Sequence, residues 1–255
     1  MDYLTNNLIQ QFPSNIINDG YILYHGTSSF CEDSINSEGL LVNHSRFTLD
    51  ELRSIADLFN KLNWKGISGG SYAVLMPFSI SHDFQKHDNK PVYLTPFVHQ
   101  AYTYASLDFA GGEIAHTVRS CFKELWQYVL NPAVREQHLN YLASDVHGKG
   151  VNSIQINIVE LRRSLEYLSP IFMRARELKE KYLYGLVYAI RFDEKDFIDL
   201  RYNSFMGVKC FKSINPKQVA CVVKLPREFT YSPNSKLDIL DFPAFEGIIS
   251  KIPRD

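Results

Sequence analysis

A long stretch of helical periodicity, from Ile114 to Tyr182, separates two groups of short strand-like runs, so a single fold has to carry it as an insertion. Within it Val118, Cys121, Phe122, Leu125, Trp126 and Val129 mark one apolar face. Leu161, Leu165 and Leu168 mark another, and Pro132 and Pro170 are expected as breaks. On the amino-terminal side, Gly20–Tyr24 reads as a strand entering a polar, glycine-containing turn, and Phe30–Leu40 as a short helix ended at Gly39. Tyr72–Met76 and Val92–Leu94, set between glycines and prolines, read as further strands. On the carboxyl-terminal side, Gly185–Ile190 and Val219–Leu225 are apolar, β-branched and too short for buried helices. A loose tail containing Pro233, Pro243 and Pro253 is expected to close the chain.

One helix boundary is legible in detail. Thr48-Leu49-Asp50-Glu51 has the form of a capping box, in which the Thr hydroxyl and the Glu carboxylate satisfy each other's orphan amides. Leu49, Leu52, Ile55, Phe59 and Leu62 then recur at helical spacing. The pattern as a whole predicts an α+β fold, one domain over residues 1–255 with a helical insertion at about 113–182. A chain of 255 residues, 45% hydrophobic and 13% aromatic, can fill such a core. No repeat, low-complexity tract or linker interrupts it.

Charge and composition narrow the chemistry. A net charge of -1 provides no bulk field for nucleic acid or anionic membrane. The basic residues Arg162, Arg163, Arg174, Arg176, Lys179 and Lys181 are interleaved with Glu160, Glu166, Glu177 and Glu180, which reads as a solvated helix face. Cys31, Cys121, Cys210 and Cys221 form no close pair and read as reduced thiols; Cys31 is taken as a packing residue. His82 and His87 lack companion ligands, and no metal is expected. Neither a phosphate-cradling loop ending in Gly-Lys nor a dinucleotide glycine fingerprint occurs. No apolar stretch is long enough to span a bilayer and the first residues lack the form of a secretory signal, so the expectation is no membrane association and a cytoplasmic location, with delivery into another cell left open.

The residues that carry chemistry lie in the strand-like segments. His25-Gly26-Thr27-Ser28 follows a strand, where Gly26 lets a ligand near the backbone and the ring of His25 can meet a hydroxyl. Tyr93 and Tyr104 are 104 − 93 = 11 residues apart, across a strand end, a Thr95-Pro96 turn and the start of a helix near Val98. That path can set two rings across a slot, where a flat aromatic cation would gain about 0.5–2 kcal/mol from stacking and cation–π contact.

These segments resemble the His-Tyr-Glu branch of the ADP-ribosyltransferases, which includes diphtheria toxin and the poly(ADP-ribose) polymerases. The resemblance covers Tyr24–Thr27, Phe30–Leu40 with Ile35 and Gly39-Leu40, Tyr93–Tyr104 and, more faintly, Ile214-Asn215-Pro216 to Leu225. It implies a split β-sheet core and NAD as co-substrate. In its terms His25 meets a ribose and Gly26 holds the nicotinamide amide, with Thr27 beside them; Tyr93 and Tyr104 sandwich the ring, and Ala101 takes the small-residue place in the floor. His25 and Tyr93 would be the catalytic pair. The implied activity is mono-ADP-ribosyl transfer from NAD to a protein or nucleic acid, in a bacterial toxin, effector or phage-defence protein, with an antitoxin or inhibitor as a further partner. The chain departs from the pattern between Met206 and Lys212, where the family's Glu is expected and no acid occurs. Glu113, Asp193 and Glu194 are then the acids to consider. The departure leaves three alternatives: a non-catalytic NAD or ADP-ribose binding module, an enzyme like the RNA 2′-phosphotransferases, or an NAD hydrolase.

Overall fold

The computed structural model describes residues 12–42, 46–61, 91–144, 158–203, 207–229 and 243–254. The strand expected at Tyr72–Met76, together with His82, His87 and Pro233, lies outside the described residues. The chain gathers into two compact units. Unit 1 takes Met1–His44, Asn89–Glu113 and Leu178–Asp255, and unit 2 takes Ser45–Asp88 and Ile114–Glu177. Unit 2 thus contains residues 114–177 of the expected insertion and also the segment that holds the capping box.

Among the described residues, unit 1 has mixed helix and strand with two small antiparallel sheets. In chain order its elements are α1 (Ser14–Ile17), β1 (Ile22–Ser28), α2 (Glu32–Glu38), β2 (Val92–Leu94) and α4 (Val98–Ala105), followed by β3 (Gly185–Arg191), β4 (Leu200–Asn203), β5 (Gly207–Cys210) and β6 (Val219–Leu225). One sheet has the order β1-β3-β6 and the other β2-β5-β4. The β1-β3-β6 sheet separates two apolar clusters. Ile22 and Tyr24 face α4 with Val98, Ala101, Tyr102 and Ala105, while Leu23, Tyr188 and Ile190 face Ile35, Leu40, Leu94 and Val208. This is strand alternation put to use, with both faces buried.

In unit 2 the described helices are α3 (Leu49–Lys61), α5 (Gly112–Leu130, entering from unit 1), α6 (Pro132–Ser144) and α7 (Ile158–Glu180). The capping box forms as expected: Thr48 N–H donates to Glu51 Oε2 at 2.8 Å and Glu51 N–H to Thr48 Oγ1 at 3.3 Å. Leu52, Ile55 and Leu58 of α3 are buried. Phe122 and Phe172 stack at 4.1 Å, and Arg174 pairs with Glu51 while lying over the Phe47 ring. Pro132 opens α6, but Pro170 does not break α7. Its ring is exposed, and the missing amide bond, a cost of about 3 kcal/mol, is offset by burial of Leu165, Leu168, Ile171 and Phe172 on the other side.

Two further expectations are corrected in unit 1. His25-Gly26-Thr27-Ser28 is not a turn: β1 runs through it to Ser28, paired with Gly185–Tyr188 of β3. The end of the chain is not loose either. Ala244, Ile248 and Ile252 are buried, Ile248 N–H donates to Gly20 C=O at 2.8 Å, and Tyr202 N–H donates to Pro253 C=O at 2.9 Å. Apolar residues spaced by four outweighed the prolines in that segment.

Gly39 ends α2 at φ 86° and ψ -164°, a region essentially reserved for glycine, and a Cβ there would lie 1.9 Å from Ile214 O. The adjoining Leu40–Ile214 bridge ties the helix end to the segment before β6. Gly39→Ala is expected to destabilise the protein by roughly 2–4 kcal/mol, read as a lower urea midpoint at unchanged slope.

Candidate functional site

Among the described residues the two sheets of unit 1, which share a core, are joined by backbone hydrogen bonds at one point. Tyr24 N–H donates to Thr95 C=O at 2.8 Å and Thr95 N–H to Tyr24 C=O at 2.9 Å, an isolated antiparallel bridge between β1 and the end of β2. Had the strands continued together, the next pair toward the end of β1 would be Gly26 with Tyr93, since 26 + 93 = 24 + 95. They part instead. The imidazole of His25 spans the gap, its Nδ1 2.9 Å from Tyr93 C=O. A carbonyl can only accept, so Nδ1 carries the proton and Nε2 presents a lone pair. Burial pushes the His25 pKa below its ordinary value, against the opposing effect of the Tyr93 carbonyl, and keeps the ring neutral.

The strand's own alternation determines what the gap offers. Tyr24 turns both backbone groups toward Thr95, whereas Tyr21 C=O accepts from Phe192 N–H on the β3 side. Gly26 shares the parity of Tyr24, so its N–H and C=O point into the gap. No described residue hydrogen-bonds either group. The burial pattern agrees: His25, Gly26 and Thr27 are half-buried between buried Tyr24 and buried Ser28. The middle of a strand is here open to solvent.

Helix α4 forms the adjoining wall. Thr95, itself buried, fixes the helix start by donating its hydroxyl to Gln100 Oε1 at 2.6 Å and accepting from Phe97 N–H at 3.0 Å. The far end is held by Tyr182, whose hydroxyl donates to Ala105 C=O at 2.8 Å. Between these anchors the helix lies on bare backbone. A Cβ on Gly26 would be 1.9 Å from Ala101 O, and a Cβ on Gly185 would be 2.2 Å from Ala105 O. Gly26 is therefore required by helix packing, a reason distinct from the ligand access expected of it. Ala101 is fully buried beneath β1, and Tyr104 is half-buried with its ring edge-on to Phe109 at 5.3 Å. Tyr93 is half-buried on β2, on the face opposite the core residues Val92 and Leu94.

The structure thus joins His25 to Tyr93 at the gap and seats Gly26 on Ala101 of the adjoining helix, with Tyr104 in the same helix against Phe109. It does not bring Asp193 or Glu194 there. Asp193 and Glu194 follow β3 beyond Arg191, the partner of Ile22, which is four residues or about 13 Å along the strand from Gly26. Asp193 caps a 3-10 turn and pairs with Lys195, and Glu194 pairs with Lys251. The side chain of Glu113 lies outside the described residues. Glu32 is held by Lys224 at 2.8 Å and by the Tyr184 hydroxyl, which keep its carboxyl below the ordinary range.

Lys209, on the middle strand β5, pairs in register with Tyr93 on one side and Arg201 on the other and is only 3% exposed. In the sequence it was visible only as the wrong residue in an expected acid's region. Among the described residues no group of His, Cys, Asp and Glu could hold a metal ion, and no helix is long and apolar enough to cross a membrane. Comparison with models of known families, with curated proteins and with solved structures finds no match to the chain.

The His25 geometry has a pH consequence. A histidine whose folded pKa is depressed binds its proton more readily in the unfolded chain, so its contribution is complete above about pH 6.5 and is lost as the pH falls below that. His25→Asn, which keeps a donor for Tyr93 C=O but does not titrate, is expected to flatten the fall in Tm between about pH 7 and pH 5. Equal slopes for the two proteins would contradict the neutral assignment.

Proposed function

We propose that unit 1 binds NAD in the manner of the ADP-ribosyltransferases, with the nicotinamide amide on the backbone of Gly26 and its ring beside Tyr93 and Tyr104. The observation that carries this reading is the parting of β1 and β2 after the Tyr24–Thr95 bridge. It leaves one N–H and one C=O of Gly26 aimed at a half-buried gap. A carboxamide has the matching acceptor and donor, and paired in this way it repeats the bonds of a missing strand. His25, neutral with Nε2 presented as an acceptor, suits a ribose hydroxyl.

A second reading adds chemistry: transfer of ADP-ribose from NAD to a macromolecular acceptor, protein or nucleic acid. It is favoured by the rigid placement of His25, whose ring is fixed by the Tyr93 carbonyl so that a bound ribose would be held in one orientation. Acceptor choice would then depend on surfaces outside the gap.

Binding is read directly from stability. NAD at a hundredfold excess over its Kd should stabilise the chain by about 2.7 kcal/mol, seen as a raised Tm. Tyr104→Ala should reduce the affinity by roughly tenfold or more, through loss of about 1–2 kcal/mol of ring contact, without unfolding a half-buried site. The transfer reading is tested with labelled NAD and cell extract, where label on a macromolecule together with released nicotinamide supports it. An unchanged Tm at saturating NAD would remove both readings.

A further inference from the structure

Strand β6 is the outer strand of its sheet, and its ladder leaves a row of backbone groups facing away from β3. Phe192 N–H donates to Tyr21 C=O, so by alternation Ile190, Tyr188 and Leu186 turn their backbone groups toward β1. Val187 and Ala189 turn the other way, toward their β6 partners Val223 and Cys221. Val222 and Lys224, which alternate with those partners, therefore direct N–H and C=O outward. Among the described residues nothing bonds to that edge, and Ala220, Val222 and Lys224 are exposed along it. The outer strand of the second sheet differs: on β4, Tyr202 N–H donates to Pro253 C=O and Tyr202 bridges to Arg254.

An open edge is commonly guarded against another strand by a charged side chain. The one charge on β6 is Lys224, and its ammonium is folded back to 2.8 Å from the Glu32 carboxylate and 4.8 Å from the centre of the Tyr184 ring. The rest of the strand, Val219 to Val223 and Leu225, is apolar. Antiparallel pairing of two such edges about Val223 sets Val222 of each copy opposite Lys224 of the other. Both residues direct N–H and C=O outward, so this register forms four hydrogen bonds, and it keeps the two lysines from facing one another. The same patch serves both partners, as a closed two-fold contact requires. We propose that β6 pairs with β6 of a second copy of this chain, joining the two β1-β3-β6 sheets into one. A contact through a single strand is at the small end of specific interfaces, so the dimer forms and dissociates with concentration.

The full-length chain, Val222→Pro and Val222→Lys are compared by sedimentation velocity from about 1 to 100 µM, with Tm as the check on folding. The Val222 N–H faces outward, so V222P removes a donor that the chain's own sheet does not use. V222K sets a lysine opposite Lys224 of the other copy, through a side chain already 37% exposed. The unaltered chain should pass from one copy to two as its concentration rises. Both variants should keep a Tm close to that of the unaltered chain and associate at least about tenfold more weakly. An unaltered chain that stays monomeric throughout overturns the inference, as does a folded V222P that dimerises undiminished. A chain recovered with a different protein that V222P releases overturns it in favour of that occupant. Should V222P not fold, V222K decides the matter, since undiminished association of V222K contradicts pairing at this edge.

Discussion

The contact on which the rest of unit 1 depends is the seating of α4 against the glycine backbone of β1 and β3. Two carbonyls one turn apart on the helix, Ala101 and Ala105, occupy the space where side chains of Gly26 and Gly185 would be. That close approach buries Val98, Ala101, Tyr102 and Ala105 against Ile22, Tyr24, Val187 and Ala189, and it brings the aromatic group of Phe12, Tyr24, Tyr102 and Phe229 into contact. Because Thr95 starts the helix and also bridges Tyr24, the same packing sets where β2 leaves β1. The gap is a product of that departure. A strand that must part from its neighbour to feed a tightly seated helix leaves its last ladder bonds unmade.

Seen this way, Gly26 has two duties that its residue type alone does not separate. Its missing side chain admits the helix on one face, while its amide and carbonyl, at right angles to that face, remain for something in the gap. His25 closes the base of the gap by replacing a backbone bond with a side-chain one. A neutral imidazole costs less to half-bury than a charged one, which accounts for the downward direction of its pKa.

Much of this was legible in the sequence, for reasons that differ by element. The Thr48–Glu51 capping box is local chemistry and needs no tertiary partner to be recognised. The runs at Gly185–Arg191 and Val219–Leu225 betray strands because they are short, apolar and contain β-branched residues, although only the first is buried on both faces. The pairing of β1 with β3 across the helical stretch was not legible, nor was the continuation of β1 through His25-Gly26, because a glycine next to polar residues has the local appearance of a turn. Pro170 misled for the same reason: a local cost was overruled by burial several residues away. The position of Lys209 depended on strand register, which a single sequence does not reveal, and it is register that sets it opposite Tyr93.

The claim on which the account stands is that the Gly26 amide is open in the free protein and is engaged by a nicotinamide amide in the bound one. Residue-resolved hydrogen exchange tests it directly. The Tyr24 amide, bonded to Thr95, should be protected in both states, while the Gly26 amide should exchange rapidly without ligand and become protected when NAD is added. A Gly26 amide already protected in the free chain, or one whose exchange is indifferent to saturating NAD, would contradict the account.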